Sequence, residues 1–229
     1  MRLSPLLLLL IGIVSCSPKT EERVAPNIVW IVSEDNSKHY LKLFDDHGAE
    51  TPNIAKLAEH GVLFNHAFSN TPVCSAARST IITSSYGPRL ASHYHRKLEK
   101  VALPEGSALF PAYLKQNGYY TTNNAKEDYN VIKGDSVWDE SSKKATWRNR
   151  SKNQPFFHVQ NIGTTHESGL HFTSEEIEEG TTSNPSDMFV QPNHPRTPLL
   201  QYTIARYNDK IKQKDTEVGE IVAKLKEDA

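Results

Sequence analysis

The stretch "PNIVWIVSEDNS", residues 26–37, decides how the rest of the chain is read. Ile28 to Val32 is an unbroken apolar run rich in β-branched residues, and it stops abruptly in polar ones. A strand with one wet face alternates, whereas a strand covered on both faces reads as a continuous run, the pattern of a parallel sheet. The run ends on Glu34 and Asp35, and the carboxyl ends of strands are where open α/β sheets collect ligands.

Working outward, "TPNIAKLAEHGVLF" (51–64) places proline at a first helical position, apolar residues at helical spacing and a stop at Gly61. "SALFPAYLKQNGYYTTNNAKEDYN" (107–130) repeats the scheme: a helix ended by Gly118, then a strand running into Lys126 and Asp128. "PFFHVQNIGTTHES" (155–168) is a third apolar strand, with His166 and Glu167 at its polar end. Strands alternating with helices predict an α/β fold, a mostly parallel sheet flanked by helices. The three polar strand ends together describe a pocket with carboxylates for a hard cation and cationic groups for an anion.

The opening "MRLSPLLLLLIGIVSC" carries Arg2, an apolar run from Leu6 to Val14 and small residues at its end, the layout of a secretory signal. Its last four residues resemble a bacterial lipobox, in which Cys16 takes the lipid; an ordinary cleaved signal is the alternative. "SPKTEERVAP" (17–26) reads as a polar tether. These features predict an exported, lipid-anchored protein of a bacterial periplasm or outer membrane. With 229 residues and 37% hydrophobic content, the remainder suffices for one domain with a real core. A net charge of -1 gives no basic footprint, which argues against nucleic acid as a partner.

Processing leaves Cys74 as a single thiol in an exported chain, with no partner for an internal disulfide. A buried thiol acting as a small apolar residue and a thiol pairing between chains are both open readings. Its setting is "NTPVCSAARSTIITS" (70–84), where a helix start would offer free backbone N–H groups to negative charge.

Cys74, Ser75, Ala76, Ala77 and Arg78 match the Cys-X-Pro/Ala-X-Arg signature of the type I sulfatases, in the alkaline phosphatase superfamily. "NIVWIVSEDN" resembles that family's first strand, which ends in two acidic metal ligands. Residues 51–79 resemble the helix and loop leading into the signature, and "PFFHVQNIGTTHES" the later strand that ends in a substrate-binding histidine. The resemblance implies that Cys74 is oxidised by a maturation enzyme to formylglycine, whose hydrated aldehyde presents two hydroxyls. One, activated by a divalent cation, attacks sulfur and displaces the alcohol; the other then loses its proton as the aldehyde reforms and sulfate leaves. It implies Glu34, Asp35 and the modified Cys74 as ligands of calcium rather than magnesium. Arg78 then anchors the nucleophile, and Lys126 and His166 hold sulfate oxygens and assist departure of the alcohol.

Three positions depart from the family pattern. Glu34 stands where aspartate is usual, Asp128 where a histidine usually follows the lysine, and Ser84 where glycine is common. His93 and His95 in "ASHYHR" read as surface loop residues outside the site. The last helix has apolar residues at Ile211, Val218, Ile221, Val222 and Leu225, a face expected to pack on the sheet. In the family such a helix leads to a further strand with more metal ligands, so the expectation is an alkaline phosphatase-like fold incomplete at the C-terminus. Residues 1–16 would then be the signal, 17–26 the tether and 27–229 the N-terminal part of a catalytic domain. The expected activity is hydrolysis of sulfate esters, on sulfated glycans. The competing readings are a phosphodiesterase or phosphonate hydrolase of the same superfamily, and an inactive exported lipoprotein.

Overall fold

The structure is a computed structural model that describes residues 25–228. The expected signal segment, Cys16 and the expected tether up to residue 24 lie outside the described residues. Four strands, β1 (Ile28–Ser33), β2 (Tyr120–Asn124), β3 (Glu140–Ser141) and β4 (Phe156–Ile162), form one parallel sheet in the order β1-β4-β2-β3. Ile28 sits opposite Phe157, and Tyr120 opposite Phe156, so β4 lies between β1 and β2. Its first four residues are buried, which accounts for the unbroken apolar reading of "PFFHV".

Among the described residues there are five helices: α1 (Pro52–Ala58), α2 (Cys74–Thr83), α3 (Phe110–Gln116), α4 (Ser174–Glu179) and α5 (Pro198–Glu227), of which α3 packs on β2. The core lies where α3 meets the sheet. Phe157 is fully buried there, with the Trp30 ring edge-on at 5.3 Å and Phe110 at 5.2 Å. Gly118, at φ +87°, makes the left-handed turn that ends α3 and admits β2, a conformation that costs glycine little.

The long helix α5 departs from the expected face. Ile211 and Val218 are buried, but so are Lys214 and Asp215, and α5 packs on α1 and on the 3-10 turns Glu167–Leu170 and Pro185–Asp187. Asp215 fills the role of an N-terminal cap that α1 lacks locally. Its carboxylate accepts from the backbone N–H groups of Asn53 and Ile54 at 3.1 and 2.9 Å. Gly219 permits the close approach, since a Cβ there would stand 2.6 Å from the Asn53 side chain.

Because every strand of the sheet is parallel, the segments following β1, β2 and β4 leave the same edge. That edge collects Glu34 and Asp35, Lys126 and Asp128, and His166 and Glu167, as the strand pattern predicts.

Candidate active site

α2 begins at Cys74 itself, after an extended Val73 that supplies no side-chain cap. The first N–H groups of a helix have no partner within it, so the thiol sits at the positive end of α2. Arg78, one turn on, shares its face, and both side chains line a cavity of about 450 Å³ with Glu34, Asp35 and Lys126.

Glu34 is the hinge of the arrangement. Its carboxylate is buried and accepts from the Arg78 guanidinium at one oxygen and from the Lys126 ammonium at the other. Its backbone is clamped from the segment after β4, with its carbonyl accepting from the Thr165 hydroxyl at 2.5 Å. Two cations share one carboxylate, so positive charge is left over for an incoming anion. Arg78 is further positioned by Asn161, whose side-chain oxygen accepts from it at 2.9 Å. The Asn161 amide in turn donates to Asn123 and to the Asn124 carbonyl, tying β4 to β2 beneath the site.

Among the described residues, one group of side chains brings three metal-type donors within 4.8 Å of one another: Glu34, Cys74 and His166. Two members match the ligand set expected from the sequence. Asp35, the third expected ligand, takes a left-handed turn at φ +42°, and its carboxylate accepts from the Glu167 N–H at 2.9 Å. An aspartate tolerates that conformation, at roughly 1–3 kcal/mol of strain held by its surroundings. Here the Tyr207 hydroxyl donates to the Asp35 carbonyl at 2.6 Å. His166, expected to hold sulfate, lies with Nε2 3.8 Å from Asp35, while its Nδ1 accepts from the Ser168 N–H.

The donor set fits a hard cation in one respect and not in another. Carboxylate oxygens suit calcium or magnesium, but a thiol does not. Replacing the Cys74 sulfur by the oxygens of a hydrated aldehyde would put oxygen donors beside Glu34 and leave the His166 imidazole as the donor of this group that does not suit a hard cation.

Asp128, which stands at the position of the missing histidine, has φ +49° and pairs with Arg96, its two oxygens 3.3 and 3.4 Å from the guanidinium. His95, set aside as a loop residue, lies beside Ser75, the residue after Cys74. Its Nδ1 is 3.3 Å from the Ser75 hydroxyl, which also accepts from the Arg96 N–H at 2.6 Å. His95, Arg96 and Asn161 are the neighbours of the site that the sequence reading passes over.

The comparisons with known proteins bear on this geometry. A model of the sulfatase family matches residues 26–229. The chain belongs to the sulfatase family. It is 31% identical to an ulvan-active sulfatase of Formosa agariphila, over 89% of this chain and 41% of that protein. Among solved structures, a phosphonate monoester hydrolase of Agrobacterium radiobacter superposes with a TM-score of 0.67 at 16% identity, covering 89% of this chain and 60% of the other. A complex with D-glucosamine-2-N,6-O-disulfate superposes at 0.59 and 15% identity, covering 88% and 62%. These likenesses place the sheet and its helices in the alkaline phosphatase-like fold. The present sulfatase chain spans about two fifths of the Formosa relative's length.

Proposed function

We propose that this sulfatase-family chain hydrolyses sulfate esters on glycans, with a formylglycine made from Cys74 as nucleophile. The observation that carries the reading is the convergence of Cys74 and Arg78, on one face of α2, with Glu34, Lys126 and His166 from three parallel strand ends. Oxidation of Cys74 by a maturation enzyme replaces a soft sulfur with oxygens beside Glu34, and so supplies hard donors of the kind calcium takes. Glu34 and the modified Cys74 would hold that ion, with Asp35 on the adjoining turn. When bound, the cation supplies Lewis acidity and lowers the pKa of a hydroxyl it contacts.

The remaining work falls to the chain's own groups. Arg78 fixes the modified side chain on the helix face and offsets the charge of the anion. Lys126 and His166 flank the same opening and hold sulfate oxygens, a neutralisation that makes the sulfur accessible to a nucleophile. Either residue can pass a proton to the departing alcohol, since both line the cleft and an ammonium or imidazolium can donate one. The N-terminal signal and Cys16 support a lipid-anchored, exported setting, where sulfated glycans are met outside the cell. Labelled palmitate carried by the wild type and lost in Cys16→Ser would test that setting.

Kinetics with the full-length protein, coexpressed with a maturation enzyme, test the activity. Sulfate release from an aryl sulfate and from a sulfated monosaccharide is expected, with a Cys74→Ala variant inactive. A preference for phosphonate or phosphate diesters over every sulfate ester would overturn the reading in favour of the superfamily's other hydrolases.

A further inference from the structure

On the β2 and β4 side of Glu34 a second cleft of about 490 Å³ opens, lined by Glu34, Asn124, Lys126, Lys143, Asn161 and His166 among others. It shares Glu34 and Lys126 with the cavity that Cys74 lines, so both spaces border the same ion pair. A space of this size accepts a sugar ring and not only a sulfate group.

Lys143 stands apart from the other cations near the centre. The Lys126 ammonium is engaged by Glu34, Arg78 by Glu34 and Asn161, and Arg96 by Asp128. The Lys143 ammonium makes no ion pair or hydrogen bond among the described residues, and the residue is exposed. Its backbone, by contrast, is pinned. Asn124, at the end of β2, donates from one side-chain amide to the Lys143 carbonyl at 3.0 Å and to the Ala145 carbonyl at 3.2 Å. Ala145 is buried and donates to the Ser142 carbonyl at 3.0 Å. A fixed backbone thus places an uncommitted cation at the wall of a cleft that also includes Glu34, Lys126 and His166.

We propose that Lys143 is a specificity residue that binds a second anionic group, a carboxylate or a further sulfate, carried on the same glycan as the scissile sulfate ester. The proposal rests on the sulfate ester reading of the centre. A lysine ammonium accepts either anion, because it acts as a compact charge and not as a planar fork. The selection it exerts is for polyanionic over singly charged substrates.

The test uses the full-length protein with Cys74 converted and three substrates: a disaccharide bearing one sulfate ester and a uronate, its counterpart with a second sulfate replacing the uronate, and a neutral sugar monosulfate. Lys143→Ala should lower the ratio of kcat/KM for one dianionic disaccharide over the monosulfate by about tenfold, through KM, with Lys143→Arg restoring most of it. Which disaccharide suffers identifies the anion. In parallel, calorimetry on the Cys74→Ala background should show the dianionic disaccharide bound about tenfold more weakly when Lys143 is also replaced by alanine. An unchanged ratio in a folded Lys143→Ala variant, or unchanged binding by calorimetry, overturns the proposal. Absence of sulfate ester turnover in the wild type would instead defeat the sulfatase reading, and calorimetry then decides the subsite alone.

Discussion

Glu34 and Arg78 meet in a buried ion pair although 44 residues separate them in the chain. The pair links the end of β1 to the first turns of α2, so the residue expected to hold a metal is also the residue that holds the helix that begins at Cys74. Lys126, from the end of β2, takes the other carboxylate oxygen. One side chain thus joins three elements of the site.

Removing that carboxylate therefore has two consequences. Glu34→Ala leaves a mostly buried Arg78 and a partly buried Lys126 without their shared anion, and should lower stability by about 3–5 kcal/mol in urea unfolding. Glu34→Gln keeps the shape and hydrogen bonds at lower cost, yet removes the charge a cation needs. In the converted protein calcium should raise the wild-type Tm and leave that of Glu34→Gln unmoved.

Asp215 tests the junction between α1 and α5. Its carboxylate accepts two backbone N–H groups at the start of α1 and the Asn53 amide at 3.0 Å. Asp215→Ala should cost about 3 kcal/mol, since hydrogen bonds to a charged acceptor are among the stronger ones. Asp215→Asn retains one acceptor and should cost roughly half as much by the same reasoning, measured as the shift in urea midpoint at constant m.

Lys214 gives a pH signature. It is buried, donates to the Asn36 side chain at 2.9 Å, and burial lowers its pKa from 10.5 to about 8, against an opposing pull from Asp215. Its folded pKa thus lies below its unfolded one, so between these values the unfolded chain binds more protons and stability rises with pH. The neighbouring Tyr207 phenol is pushed upward by burial and opposes this only at the alkaline end. Wild type should gain about 2 kcal/mol between pH 8 and 10 relative to Lys214→Met. Parallel curves for the two proteins across that range would show that Lys214 is charged in the fold throughout.

Much of this was legible from residue order, and the reasons differ by element. Continuous apolar runs announced β1 and β4, because a strand covered on both faces has no polar period to hide it. Proline before and glycine after marked α1 and α3. The two-residue β3 left no run to read, and its place beside β2 comes from pairing of Thr122 with Glu140. The face of α5 was half legible: Ile211 and Val218 fit a helical stripe, whereas buried Lys214 and Asp215 look like solvent residues until their partners Asn36 and Asn53 are known. Likewise Asn161 reads as the fraying end of a strand, and His95 as loop, since their roles depend on Arg78 and Ser75 brought from far along the chain. The position of His166 near Cys74, with Asp35 turned toward the Glu167 N–H, rests on a left-handed backbone that no apolar pattern announces.

On the proposed reading Cys74 serves as a precursor and not as a thiol. Trypsin should release it in the peptide 57–78, cut after Lys56 and Arg78. Mass spectrometry of that peptide from protein purified from its native host measures the claim directly. The account predicts the formylglycine mass at Cys74, with labelling by an aldehyde-reactive probe; an intact thiol in the bulk of that peptide would contradict it.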